Sequence, residues 1–224
     1  MNALRLSLIL LSISQWCSGE TTTSKNLNWL VDSLLESTTK IIQTLDDGQI
    51  AIPDLEETFH KTILFVKVRG GVKATGGVFQ NLTTLHRTGD AVLTYNSSAA
   101  KISLLLGMSD MEIHFSHCRV WLGKLSVSES LRVKVKKNSL DAEISLFEDD
   151  QKCHVSLSHI RMNEFGDFDT KVKGLGVMNG MVGFLGDTVM NHFVNNIKSL
   201  VEAKLHKQLS QELTKYHICT GDIF

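Results

Sequence analysis

The hydrophobic residues of this chain recur at helical spacing near the N-terminus, at every second position through the middle, and at helical spacing again toward the C-terminus. Each period fixes which face of its element can be buried, so a chain that changes period twice must pack helices against a sheet. Only one proline, Pro53, occurs in 224 residues. No Ser/Gly/Pro-rich stretch separates the zones, and there are no internal repeats or low-complexity segments, so the three zones are expected to share one core.

In the first zone, from about Ser24 to Leu45, the residues Leu27, Leu30, Val31, Leu34, Leu35, Ile41, Ile42 and Leu45 form a one-sided stripe. Ser24 is the expected N-cap and Asp46-Asp47-Gly48 the stop. The middle zone, from about Lys61 to Met162, alternates like strands over Ile63 to Val68, Ala91 to Tyr95, Ile102 to Leu106, Met111 to Val120, Leu122 to Val135, Leu140 to Leu146 and His154 to Ile160. Its connectors read as Arg69-Gly70-Gly71, Gly76-Gly77, Thr88-Gly89-Asp90, Asn96-Ser97-Ser98, Gly107 with Ser109-Asp110, Lys137-Asn138 and Glu148-Asp149-Asp150. Turns this tight make antiparallel meanders. The last zone, from about Val177 to Tyr216, is apolar nearly all round in its first half. Its second half is a narrower stripe flanked by Lys204, Lys207, Glu212 and Lys215. This predicts a helix deeply buried at its start and more exposed at its end. The expected fold class is α+β: one curved antiparallel sheet of long strands wrapping a long C-terminal helix, with an N-terminal amphipathic helix beside it.

The extreme N-terminus places Arg5 before the apolar run Leu6 to Ile13 and small residues at Cys17-Ser18-Gly19, the layout of a cleavable secretory signal peptide. Residues 1–19 are read as that peptide and 20–224 as a single extracellular, soluble domain. No later run is long enough to span a bilayer, because Leu175 to Leu185 is broken by Asn179, Gly180 and Gly183. Two sequons, at Asn81 and Asn96, fit the secretory route. Cleavage leaves Cys118, Cys153 and Cys219, an odd number that predicts one disulfide and one spare thiol in an oxidising compartment. Cys118 and Cys153 are the expected pair, since both lie in strand-like runs that could be neighbours and Cys219 sits in the tail. Loss of Arg5 leaves 22 basic against 24 acidic residues, so no overall charge draws the chain to nucleic acid. The basic cluster Arg132, Lys134, Lys136, Lys137 alternates with Leu131, Val133 and Val135 and reads as the solvated face of a strand.

No catalytic residue is expected. There is no Gly-x-Ser-x-Gly elbow and no cysteine in a protease context. The glycines between Arg69 and Gly77 are not followed by Gly-Lys-Ser/Thr and open no helix, so they read as hairpin or bulge glycines. His114, His117 and Cys118, with Cys153, His154 and His159, raise a metal site. Alternation separates His114 from His117, and oxidation of the cysteines would remove their sulfurs, so no metal is expected. Glu143, Glu148, Asp149 and Asp150 read as a solvated strand and turn.

Between a concave sheet and amphipathic helices, soft side chains such as Met178, Met181, Phe184, Met190 and Phe193 could line an apolar cleft. On periodicity alone they read more readily as plain core. Three stretches bear on this choice: Gln80 to Ala91 with its Arg87-Thr88-Gly89-Asp90 turn, Ala100 to Met111 with its Leu106-Gly107-Met108-Ser109-Asp110 turn, and the helical run from Gly174-Leu175-Gly176-Val177 through Leu213. Together these resemble the group 7 mite-allergen family, in the superfamily of tubular lipid-binding proteins that includes bactericidal/permeability-increasing protein, takeout and juvenile-hormone-binding proteins. The resemblance implies a single superroll half with a hydrophobic tunnel or groove for a lipid-like ligand. Takeout and the hormone-binding proteins carry paired cysteines near the mature N-terminus. This chain has none between Cys17 and Cys118, a departure from the hormone-carrier pattern. The Cys118 and Cys153 pair is similar instead to the sheet disulfide of the bactericidal branch.

The resulting expectation is a secreted, non-catalytic, cofactor-free carrier of a fatty acid, sterol-like or terpenoid molecule. The expected lining is Phe65 and Leu105 from strands with Val182, Leu185, Val189, Phe193 and Ile197 from the C-terminal helix. The rival is an innate-defence interaction protein with a filled core, touching a membrane, a microbial surface lipid or a protein partner through Trp121 and the Arg132 to Lys137 cluster. Ligand identity and oligomeric state are left open by the sequence.

Overall fold

The computed structural model describes residues 27–63, 65–95, 99–149, 152–172 and 180–216. Helix α1 (Asn28–Asp46) is followed by strands β1 (Ile50–Ile52), β2 (Leu55–Ile63), β3 (Val66–Gln80), β4 (His86–Arg87), β5 (Val92–Tyr95), β6 (Ala99–Gly107), β7 (Glu112–Leu122), β8 (Leu125–Asp149) and β9 (Lys152–Val172), and then by helix α2 (Gly180–Leu213). Side chains of α2 are described from Phe193 onward. The leader assigned to residues 1–19, Ser24, Asn96 and Cys219 lie outside the described residues.

Helix α1 buries Leu30, Val31, Leu34, Leu35 and Ile42 of the stripe read from its spacing, together with Thr38, whereas Leu45 in its last turn is 62% exposed. It ends at Asp47, whose φ of 52° is the left-handed C-cap and whose N–H donates to the Gln43 and Ile42 carbonyls. All strand pairs are antiparallel, and the spine of the sheet is the long β8–β9 hairpin. Along its other edge β8 pairs first with β7, over Leu125 to Lys134, and then with β6, over Leu140 to Phe147. One wing therefore carries β7, β3, β2 and β1, and the other carries β6, β5 and β4. A sheet this wide, with bulges in its long strands, curls, and its concave side receives both helices.

Three connectors read from the sequence lie inside strands. Gly70-Gly71 and Gly76-Gly77 belong to the single strand β3, and Lys137-Asn138 belongs to β8. The glycines are needed for contact with neighbouring strands: a Cβ at Gly70 would lie 2.7 Å from the Phe59 ring, and one at Gly77 would lie 2.5 Å from the Phe115 ring. At Lys136 to Ser139 the chain changes face without turning. The buried set is Leu131, Val133 and Val135 before this segment and Leu140, Ala142, Ile144 and Leu146 after it, with a bulge between Ser139 and Leu140. Arg132, Lys134 and Lys136 point outward, as the alternation requires. The tight turn of this region is at Gly123, with φ of 60° between Leu122 and Leu125, inside the run read as one strand from Leu122.

On α2 the residues Phe193, Ile197, Val201, Leu205, Leu209 and Leu213 are all buried, each four after the last. Four residues turn a helix about 40° past a full circle, so this stripe winds around the helix and needs cover on more than one side. The second half of α2, expected to be the exposed end, is covered by α1, and Gln208 and Glu212 are buried at 3% and 1% exposure. Ser37 Oγ donates to Glu212 Oε2 at 2.5 Å, Ser33 lies 3.3 Å from the Tyr216 hydroxyl, and Lys204 pairs with Asp46, which sets the two helices antiparallel. Burial works to raise the pKa of Glu212, but hydrogen bonds from Lys215 and Ser37 and the Lys215 charge lower it by more. A carboxylate with a depressed folded-state pKa contributes stability that is present above its unfolded value and lost as pH falls through the folded one. Wild-type unfolding free energy should therefore fall with acidification below the ordinary carboxylate range, and Glu212→Gln should flatten that part of a pH series of urea titrations.

Candidate functional site

The register of the sheet lays its concave face out in rows. In the β6 wing, Leu106, Leu140 and Met162 lie side by side, then Leu104, Ala142 and Ile160, then Ile102, Ile144 and Leu157, then Ala100, Leu146 and Val155. The other wing adds Phe79, Ile113 and Val133, and then Gly77, Phe115 and Leu131. Every member is apolar, and all but Val155 are buried. These rows, α1 and α2 form one continuous hydrophobic cluster. Phe115 meets Phe193 of α2 with ring centroids 5.9 Å apart, and Phe165 meets Phe79 in a tilted contact at 6.2 Å and Phe168 edge-on at 5.6 Å. A concave surface of this kind offers an apolar molecule burial and almost no hydrogen bonds. One polar atom stands out inside it, Gln208 Oε1, which is buried and lacks a hydrogen-bond partner.

Of the seven expected lining residues, Phe193 and Ile197 are interior, at 4% and 1% exposure. Two are corrected. Phe65 sits in the β2–β3 turn with φ of 69° and is 100% exposed, and Leu105 is 55% exposed. Leu105 alternates with the buried Leu104 and Leu106, so it points outward into an open groove of about 460 Å³ that it shares with Val92, Asp141, Glu143 and His159. The apolar character of a strand residue does not reveal its face when both neighbours are leucine. Val182, Leu185 and Val189 lie on α2, with side chains outside the described residues. Leu185 and Val189 extend the step of four that reaches Phe193 and Ile197.

The Cys118–Cys153 disulfide is also corrected. Cys118 is a free, buried thiol. It lies opposite Glu129 on β8, whereas Cys153 lies opposite Glu148, nineteen residues farther along the same strand. That is roughly 60 Å of strand path, against a Cα separation of at most about 7 Å for a bridge. The two cysteines do sit in strands one removed from each other, but at opposite ends of the spine, an offset that alternation does not encode. Burial raises the Cys118 pKa to about 11, so almost no thiolate forms at neutral pH. Native protein should leave Cys118 unmodified by iodoacetamide, and urea-unfolded protein should be alkylated there without prior reduction, as read by peptide mass mapping.

Both turns that carried the family resemblance prove structural. Arg87 grips Asp32 of α1 through Nε and Nη2 at 3.0 and 3.1 Å and donates from Nη1 to the Gly89 carbonyl at 2.7 Å. Asn28 completes the clamp, donating to Asp90 Oδ1 and accepting from the Ala91 N–H. In the second turn, Asn138 both accepts from the Met108 N–H and donates to the Met108 carbonyl, each at 2.7 Å. Asn81, the first sequon asparagine, has a φ of 71°, and its amide donates to the Asp110 carbonyl. These contacts hold α1 against β4 and the turn after it, and hold the turn after β6 to β8.

The chain is similar to several known proteins. The mite allergen Lep d 7 of Lepidoglyphus destructor is 24% identical over 190 residues, 84% of each chain. The crystal structure of a lipopolysaccharide binding protein superposes with a TM-score of 0.50 at 20% identity, covering 90% of this chain and 39% of that one, so this chain spans about two fifths of its length and shares its fold. Takeout 1 of Epiphyas postvittana superposes with a TM-score of 0.45 at 13% identity, covering 87% of this chain and 96% of that one. The family model described as Group 7 allergen matches residues 26–213. With nearly the whole helix–sheet–helix body inside that match, the chain belongs to the Group 7 allergen family.

Proposed function

We propose that this protein is a secreted, non-catalytic carrier that holds an apolar, lipid-like molecule between α2 and the concave face of the sheet. The observation that carries the reading is the join of two surfaces: rows of inward apolar residues on the sheet, and a stripe on α2 whose step of four continues through Val189 and Leu185 toward Val182. A fatty acid, sterol-like or terpenoid molecule laid along that stripe would gain about 0.8 kcal/mol for each methylene removed from water. Membership of the Group 7 allergen family and the fold shared with a lipopolysaccharide binding protein support a lipid as the class of ligand. Export rests on the leader-like residues 1–19, and glycosylation on the sequons at Asn81 and Asn96.

Native mass spectrometry of protein secreted from eukaryotic cells, followed by organic extraction, tests the proposal. The expected result is a mature chain beginning near residue 20 with one apolar molecule bound. Leu185→Glu should reduce that occupancy at least about tenfold, since it sets a carboxylate against apolar carbon. A clean apo mass with no uptake of added fatty acids, sterols or terpenoids would overturn the carrier reading. An unchanged load in Leu185→Glu would overturn the assigned lining alone.

A further inference from the structure

The end of the sheet farthest from the β6 wing brings two properties together. The first is charge of one sign. No acidic residue occurs between Glu57 and Asp90 or between Glu112 and Glu129, although the whole chain carries a net charge of −1. The first interval contributes Lys61, Lys67, Arg69 and Lys73 to the β2–β3 hairpin, and the second contributes Arg119 and Lys124 to the β7–β8 hairpin. Pairing of Gly70 with Leu122, and the hydrogen bond from the Gly123 N–H to the Arg69 carbonyl at 2.8 Å, bring both hairpin turns to the same end. Glu56 binds Lys73 at 2.9 Å, but among the described residues no carboxylate lies within ion-pair distance of Lys67, Arg69, Arg119 or Lys124.

The second property is exposed apolar surface at the very tips. Phe65 is 100% exposed at the β2–β3 turn, and Leu125 is 64% exposed where β8 begins. The β2–β3 turn overhangs the other by a few residues, roughly 10 Å. Just below, on the outer face, an open cleft of about 320 Å³ is lined by Lys73, Arg119, Lys124, Glu56, Ser126 and Trp121. Arg119 stacks 5.9 Å above the Trp121 ring. A solvated phenylalanine, an indole at the level of the cations, and unpaired lysine and arginine around it suit an interface that is apolar beyond and anionic at its surface.

We propose that this end of the sheet is a docking surface for a lipid bilayer bearing anionic headgroups, with Phe65 and Leu125 entering the acyl boundary and the cleft around Trp121 receiving headgroup phosphates. The surface is separate from the interior apolar site, and the proposal stands or falls without it. The partner is argued from the combination: a nucleic acid would use the cations and could stack a base on Phe65 but offers no apolar interior for Leu125, and a neutral apolar partner would leave the cations without a counter-charge.

Co-sedimentation of the full protein with vesicles tests it. Binding to mixed phosphatidylglycerol and phosphatidylcholine vesicles is expected, with little to phosphatidylcholine alone, and added salt should weaken it. Phe65→Glu should weaken binding about tenfold or more, and the pair Arg119→Glu and Lys124→Glu about a hundredfold. All three positions are exposed, so circular dichroism and thermal melting should match wild type. Equal binding to both vesicle types, or binding unchanged in these variants, would overturn the proposal. So would a wild-type protein that ignores vesicles but dimerises through the tip, with Phe65→Glu restoring the monomer. Extraction of the interior ligand from the same samples separates failure of this surface from failure of the carrier reading.

Discussion

Phe115→Ala should lower the unfolding free energy by about 3–5 kcal/mol, read from urea denaturation. The ring is 0% exposed and joins three elements. It lies over Gly77 of β3, whose missing side chain makes room for it, it sits beside Ile52 of β1, and it meets Phe193 of α2. Removing it leaves a cavity that neighbours cannot easily fill. Gly77 has no side chain to lean in, and Phe193 is fixed in the step-of-four stripe that continues to Leu213. The position also lies immediately before the bulge between Phe115 and Cys118, where β7 bends toward the concave side. Phe115→Leu should recover part of the loss, because it restores much of the volume. A loss below about 1 kcal/mol in Phe115→Ala would mean that the sheet and α2 are held together elsewhere.

The helices were legible because each buries one stripe, and a stripe shows directly in spacing: Leu30, Val31, Leu34, Leu35 and Ile42 are buried as read. The antiparallel sheet was legible from alternation, and the inward set Leu131, Val133 and Val135 follows it. What alternation cannot carry is an event that breaks its own phase. Lys137-Asn138 looked like a turn because the apolar parity changes there, yet the parity changes inside β8, where Asn138 turns its amide to the Met108 backbone. The glycine pairs looked like hairpins because glycine is read first as a turn former. Their role is to admit an aromatic ring from the next strand, and nothing local to β3 announces that ring. The disulfide fails for a similar reason: alternation marks Cys118 and Cys153 as strand residues, but it carries neither that β8 lies between their strands nor the offset along that 25-residue strand.

The interior was half legible. Phe193 and Ile197 lie where the period put them, whereas Phe65 and Leu105 do not. Phe65 occupies a turn with positive φ, a conformation that neither its bulk nor its apolarity suggests. That conflict between residue and environment is itself the signal. A large apolar side chain held in water at a turn with positive φ is one of the two observations on which the proposed docking surface is argued. The acid-free intervals around both hairpins were visible in the sequence, but they acquire meaning only when pairing of β3 with β7 brings them to one end.

Gly71→Val should destabilise the protein by about 1–3 kcal/mol and weaken its binding to anionic vesicles in the same variant. Two effects compete. Valine favours strands over glycine by up to about 1 kcal/mol, which taken alone predicts a more stable β3. Space decides against it: a Cβ at Gly71 would fall within the Trp121 ring and 2.6 Å from the Glu57 carbonyl oxygen. The indole can swing away, but the carbonyl belongs to the β2 backbone and moves only if β2 and β3 separate. The displaced indole should enter water, with its fluorescence shifting to the red, and the cleft shared with Arg119 and Lys124 should lose its wall. Gly166→Ala is the control, since nothing lies within 4 Å of that Cβ, and it should leave both stability and vesicle binding close to wild type. If Gly71→Val loses stability yet binds vesicles as the wild type does, Trp121 only packs the outer face, and the cations and Phe65 alone make the docking surface.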